Sequence, residues 1–147
     1  MKLPPLTDEE LKPFLEEGVW VAKLATINPD GTIRITPLTY GVEDGDIIFS
    51  TWRNSDAVRN TRRNGTASVL IDKADQPYAG VHYTGQAEVL GDITAEQYGN
   101  WFKRYIGDYD QAVESYKFLV GLGIGERAFI RFQPAKAVTW DFAKLPG

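Results

Sequence analysis

The sequence predicts a mainly β protein. Residues 1–147 form one domain, a small closed or nearly closed barrel of about six antiparallel strands with a few helices. Three observations carry this. Short apolar–polar alternating runs follow one another in quick order, separated by turn residues such as "NPDG" and "EDGD". Helix signatures occur at only a few places. No repeat, linker or low-complexity tract interrupts the chain, and 147 residues suffice for one sizeable core.

The first element is a helix. Thr7 is its N-cap and Glu10, three residues on, completes a capping box, with Leu6 and Leu11 at the staple positions. Pro13 is expected to kink or divide it, and Gly18 to end it. "VWVAKLAT" (Val19 to Thr26) is the first strand. "TIRITPLTYGV" (Thr32 to Val42) is the second, with a bulge or a sheet edge at Pro37, which has no amide proton. "IIFSTW" (Ile47 to Trp52) completes a three-stranded meander.

Ser55 caps a short helix ending near Asn64 and Gly65. "TASVLID" (Thr66 to Asp72) and "AGVHYTGQAEVLG" (Ala79 to Gly91) are strands. In the second, Val81, Tyr83, Ala87 and Val89 share one face and His82, Thr84, Gln86 and Glu88 the other. Thr94 caps a helix over Ala95 to Ile106, and a second helical piece covers Asp110 to Leu119. The Tyr and Phe residues from Tyr98 to Phe118 recur at roughly helical spacing and make a packing face. "RAFIRFQPAKAVTWDF" (Arg127 to Phe142) is a bent last strand, broken at Pro134.

Composition narrows function. The net charge of -4 argues against nucleic acid as the main partner, because phosphate binding needs a broad basic surface. The chain has no cysteine, so neither disulfides nor thiolate chemistry arise. A single histidine, His82, excludes a multi-histidine metal site, and no nucleophile elbow accompanies it. No apolar run approaches a membrane span, and the expected location is the cytoplasm. The glycines of "GLGIG" (Gly121 to Gly125) follow a helix and precede a strand. A dinucleotide-binding loop needs the reverse order.

The stretch "STWRNSDAVRN" (Ser50 to Asn60) stands apart. Residues 53 to 63 hold four Arg and one Asp, a local charge of +3 that leaves about -7 on the rest of the chain. Ser50, Thr51 and Ser55 supply hydroxyls, and the first turn after Ser55 supplies unpaired N–H groups at a positive helix end. Two readings are open for these residues. They make a phosphate site, or an ordinary N-cap followed by a solvated basic face. Trp52 and Trp140 sit near strand ends, where they belong to the core or line a flat ring.

The order of "LTDEELKPFLEEG", "VAKLATINPDGTIRITPLTY", "DIIFSTWRNSDAVRNTRRNGTASVLID" and "VHYTGQAEV" resembles the pyridoxamine 5'-phosphate oxidase-like FMN-binding split-barrel family, which includes flavin- and deazaflavin-dependent oxidoreductases. The resemblance covers roughly residues 6 to 92. It implies a six-stranded antiparallel split β-barrel and a homodimer with two equivalent cofactor sites at the interface. It places Thr36, Pro37, Leu38 and Thr39 beside the flavin ring. Ser50, Thr51, Trp52, Arg53 and Ser55, with Arg59 and Asn60 on the next helix, take the ribityl and phosphate end. Trp140 would approach the ring from the neighbouring subunit.

The implied cofactor is FMN, or alternatively the deazaflavin coenzyme F-420, whose acidic tail would suit Arg59, Arg62 and Arg63. The implied activity is hydride transfer to or from a small organic substrate. No side chain need act as acid or base, since the cofactor carries the chemistry. The alternative is a non-catalytic protein that binds a flavin, haem or another planar ligand. One position departs from the family pattern. Many members carry lysine two residues after the serine matching Ser55, and here that residue is Ala57. One lost charge-assisted contact costs about 1.5–3 kcal/mol, or about one to two decades in affinity.

Overall fold

The computed structural model describes residues 2–121 and 127–146. Residues 122–125 of the "GLGIG" loop fall outside the described residues. Those described form α1 (Asp8–Glu17), β1 (Ala22–Ile27), β2 (Ile33–Leu38), β3 (Tyr40–Glu43), β4 (Asp46–Trp52), α2 (Asp56–Arg63), β5 (Thr66–Lys73), β6 (Ala79–Val89), α3 (Ala95–Ile106), α4 (Tyr109–Gly121) and β7 (Arg127–Asp141). A short 3-10 turn, Phe142–Lys144, follows β7.

The strands make one curled antiparallel sheet in the order β2-β1-β5-β6-β7-β4-β3. Its two edge strands, β2 and β3, are consecutive in the chain. The segment expected as one strand, Thr32 to Val42, is therefore two. Its first half pairs with β1 (Pro37 opposite Lys23) and its second half with β4 (Tyr40 opposite Phe49). A strand that joins both edges of a curled sheet cannot pair with one neighbour along its whole length. This division makes seven strands from the expected six. Pro37 does lie on a sheet edge, where its missing donor breaks no ladder.

Two other expectations change. Helix α1 runs undivided through Pro13. Pro13 and Glu9, whose carbonyl loses its amide donor, are both exposed, so water takes the freed acceptor. β7 is likewise continuous through Pro134. A register shift opposite Thr84 and Gly85 absorbs it, because Gly85 faces Pro134 while Thr84 already faces Lys136.

Two apolar layers hold the fold. Inside the curl, Leu24, Tyr40, Phe49, Val69, Val81 and Phe132 are buried together. On the other face, α3 and α4 cover Ile48 and Phe129 with Tyr98, Trp101 and Phe102. β4 lies between the layers and is buried on both faces, hence the unalternating apolar run Ile47 to Phe49. The expected capping box forms at Thr7 with Glu10, and the Thr94 cap proves to be a second one, with Gln97. Gly107, at a φ of 138°, ends α3 in a conformation that favours glycine. Asp108 then accepts from the Gln111 amide and starts α4.

Candidate functional site

The site begins where the sheet splits. β3 pairs with β4 up to Tyr40–Phe49, so continued pairing would set Thr39 against Ser50 and Leu38 against Thr51. The ladder stops instead and β2 turns to β1. The split leaves residues 36–38 of β2 and 50–52 of β4 unpaired with each other, and this opening in the ladder is the cleft. An edge strand presents alternate N–H and C=O groups without a partner on its open side. One side-chain atom is orphaned there too: Thr36 Oγ1 is buried and has no hydrogen-bond partner. A buried hydroxyl without a partner costs about 1–3 kcal/mol. Thr36, registered opposite Leu24, lies on the inner face of the strand whose edge is left open.

Helix α2 closes one end. Ser55 donates its backbone N–H to the Trp52 carbonyl (3.0 Å), and its Oγ accepts from the Val58 amide (3.2 Å). This is the predicted N-cap. Asp56 follows it and pairs with Arg34 of β2 (3.1 Å) and with Arg59. The Arg59 hydrogen bond, then the Arg34 charge, hold the Asp56 carboxyl below the usual range. Two of the basic groups around the cleft are thus bound to a carboxylate of the chain itself.

The remaining candidates separate by face. Registered partners share a face of the sheet, so Thr51, opposite Ala128, points into the curl with the inner core. Ser50 and Trp52, opposite Phe129 and Arg127, point to the α3–α4 side. Ser50 Oγ accepts from Arg127 Nε (3.0 Å), and the Arg127 guanidinium lies 5.3 Å over the Trp52 ring. Arg53 lines a cavity of about 570 Å³ with Arg62 and Arg127. Asn60 is a support for the site. Its Nδ2 donates to Thr26 Oγ1 (3.1 Å) and Asn28 Oδ1 (2.9 Å), and its Oδ1 accepts from Arg63 (2.7 Å). These bonds seat α2 on β1.

Trp140 sits opposite Gly80 near the far end of β7, eleven residues beyond Phe129, the partner of Ser50. The chain does not bring it to its own cleft. His82 is exposed on β6 between Leu70 and Val138. Among the described residues no cluster of three His, Asp or Glu residues could hold a metal. No described helix is long and apolar enough to cross a membrane. Ala57 is 1% exposed and belongs to the inner core. A lysine here would leave its Cα towards apolar side chains, so this version of the site is built around a small residue.

Sequence reasoning missed two participants. Arg127 reaches Ser50 across 77 residues of chain, and Arg34 reaches Asp56 from another strand. No linear spacing signals either contact.

The curled sheet, its split and the capped helix beside it define a split-barrel protein. The chain belongs to the pyridoxamine 5'-phosphate oxidase family, whose pattern matches residues 7–141, and so to a family of oxidoreductases. It is similar to a conserved hypothetical protein, Rv2991, from Mycobacterium tuberculosis, with 27% identity, 99% of this chain and 92% of that chain covered, and a TM-score of 0.79. A FAD-binding protein from Mesorhizobium loti shares the fold at 20% identity, with 95% and 96% covered and a TM-score of 0.64. So does a protein named F420 reductase, at 20% identity, with 86% and 94% covered and a TM-score of 0.59. No curated protein matches the chain.

Proposed function

We propose that the chain holds FMN, or alternatively the deazaflavin coenzyme F-420, in the cleft between β2 and β4 at a homodimer interface, and serves hydride transfer with a small organic substrate. The cleft with its orphaned Thr36 hydroxyl carries this reading, because a ring edge rich in donors and acceptors satisfies both that atom and the open side of β2. When bound, the cofactor supplies the hydride chemistry. The protein supplies position. Residues Thr36 to Thr39 run along the ring. The first-turn amides after Ser55 face its phosphate end, where Arg59 and Arg34 supply charge once released from Asp56.

The dimer reading draws on the outer face of the sheet. Ile33 and Ile35 of β2 are 70% and 65% exposed, and Val138 of β7 is 53% exposed. The strand register puts all three on one face of the sheet. A second copy seated there would bury them and would bring its own Trp140 towards this cleft.

The non-catalytic alternative has one observation in its favour: Asp56 already occupies two arginines that an anionic cofactor would use. Absorption spectra separate the cases. The protein is measured as purified, then after incubation with FMN or the deazaflavin and desalting. A retained flavin band that bleaches with a reductant and recovers with turnover of an acceptor supports the oxidoreductase. A band without turnover supports the binding protein, and no band refutes the oxidoreductase and leaves only a haem or another planar ligand to the binding protein.

A further inference from the structure

The cavity beside the cleft has a chemistry of its own. It lies between the end of β6, the start of β7 and the α3–α4 pair, and measures about 570 Å³, within the ordinary range for a small-molecule site. Three arginines from three separate segments line it: Arg53 from the turn after β4, Arg62 from α2 and Arg127 from β7. Among the described residues, Arg53 and Arg62 have no carboxylate partner, and Arg127 uses only Nε, towards Ser50. Asp92 is the one acidic residue in the described lining, so the described residues of the walls carry a net charge of +2 in a chain of net charge -4. Three like charges repel one another, and an anion placed among them relieves that repulsion.

The opposite wall is apolar and aromatic. Tyr98 and Tyr116 stack with ring centroids 4.9 Å apart and line the cavity together with Leu119. Tyr98 also packs edge-on against Phe129 in the floor. An inorganic ion would leave this wall in water. A neutral apolar molecule would leave the guanidinium groups without a partner.

We propose that this cavity binds a small organic anion: a carboxylate, phosphate or sulfonate on a flat apolar body. The anionic head is received by Arg62, Arg53 and the terminal nitrogens of Arg127, whose planar forks suit such oxygens. The body lies against Tyr98, Tyr116 and Leu119. The site is separate from the β2–β4 cleft and needs no cofactor.

The test uses the full chain without added flavin, and 8-anilinonaphthalene-1-sulfonate as the anionic probe. Its fluorescence is expected to rise to saturation at one probe per chain. The neutral N-phenyl-1-naphthylamine is expected to bind at least about tenfold more weakly. Arg62→Ala, at an exposed position where folding is unaffected, is expected to weaken the sulfonate roughly tenfold and to leave the neutral probe unchanged. Arg62→Lys restores part of the loss, and Arg53→Ala repeats it from a second segment. Equal binding of both probes, sulfonate affinity indifferent to Arg62→Ala and Arg53→Ala, or no saturable binding overturns the proposal. Flavin retention in the cleft is read separately, from the absorption spectra of the same variants.

Discussion

Asn60→Ala tests whether that residue supports the site or touches the cofactor. Asn60 is 1% exposed and joins three partners. Its removal leaves Thr26 Oγ1, itself 1% exposed, without a donor, at about 1–3 kcal/mol. The Asn28 and Arg63 contacts are both part-buried; the first adds about 1 kcal/mol, and the second adds less because the Arg63 side chain is exposed and water replaces its partner. The sum is about 3 kcal/mol. For a chain of this length that lowers the melting temperature by about 6–12 °C. Calorimetry reads the shift, and flavin titration well below the transition reads the site. The expected result is a large thermal loss with cofactor affinity within about twofold of wild type. A shift under about 2 °C together with a tenfold loss of affinity would refute the supporting role and make Asn60 a cofactor contact.

Ala57→Lys places an ammonium at a core position, and a melting temperature lower by several degrees is expected; unchanged stability with tighter FMN binding would contradict the packing described. Tyr40→Phe removes the buried hydroxyl that donates to the Leu15 carbonyl (2.7 Å) and ties β3 to α1. About 1–2 kcal/mol should be lost in urea unfolding, and no loss would show that the tie is weak. Gly41→Ala sets a Cβ 2.4 Å from Cβ of Trp101, so α3 must lift from β3. A lower melting temperature with weakened near-ultraviolet tryptophan signals is expected, and an unchanged spectrum would contradict the close approach. Glu10 accepts from Lys144 and from the Thr7 amide, which lower its carboxyl from 4.5 to about 2. A depressed folded value means its contribution is complete above pH 4.5 and disappears as pH falls towards 2. Glu10→Gln should flatten stability in that window, and an unaltered acid profile would show that the pair is screened.

Much of the fold was legible because its signals are local. The capping box at Thr7, the N-cap at Thr94, the turns at "NPDG" and "EDGD", and the alternation along Val81 to Val89 all depend on residues within one element. The split at Thr39 was not legible. Nothing in "RITPLTYGV" says that its halves pair with different strands, since pairing partners are chosen across the sheet. The same holds at the site. Ser55 was recognisable as a cap because the contact is three residues long. The faces of Ser50 and Thr51 follow from β4 being buried on both sides, where the apolar run Ile47 to Phe49 shows no alternation to assign them. Asn60 and Arg59 had the chemistry of phosphate ligands. In the chain alone their partners, Thr26 of β1 and Asp56, come from tertiary packing.

The central claim is that the β2–β4 cleft takes the cofactor and that Thr36 is left unsatisfied until it does. Calorimetric titration of FMN and the deazaflavin into wild type and Thr36→Val tests this directly. Valine keeps the shape and deletes the hydroxyl, so the free protein should be as stable as wild type or more so. The account predicts one cofactor per chain for wild type and roughly tenfold weaker binding for the variant. Cofactor affinity unchanged by Thr36→Val, with the free protein destabilised, would place the ligand elsewhere and contradict the account.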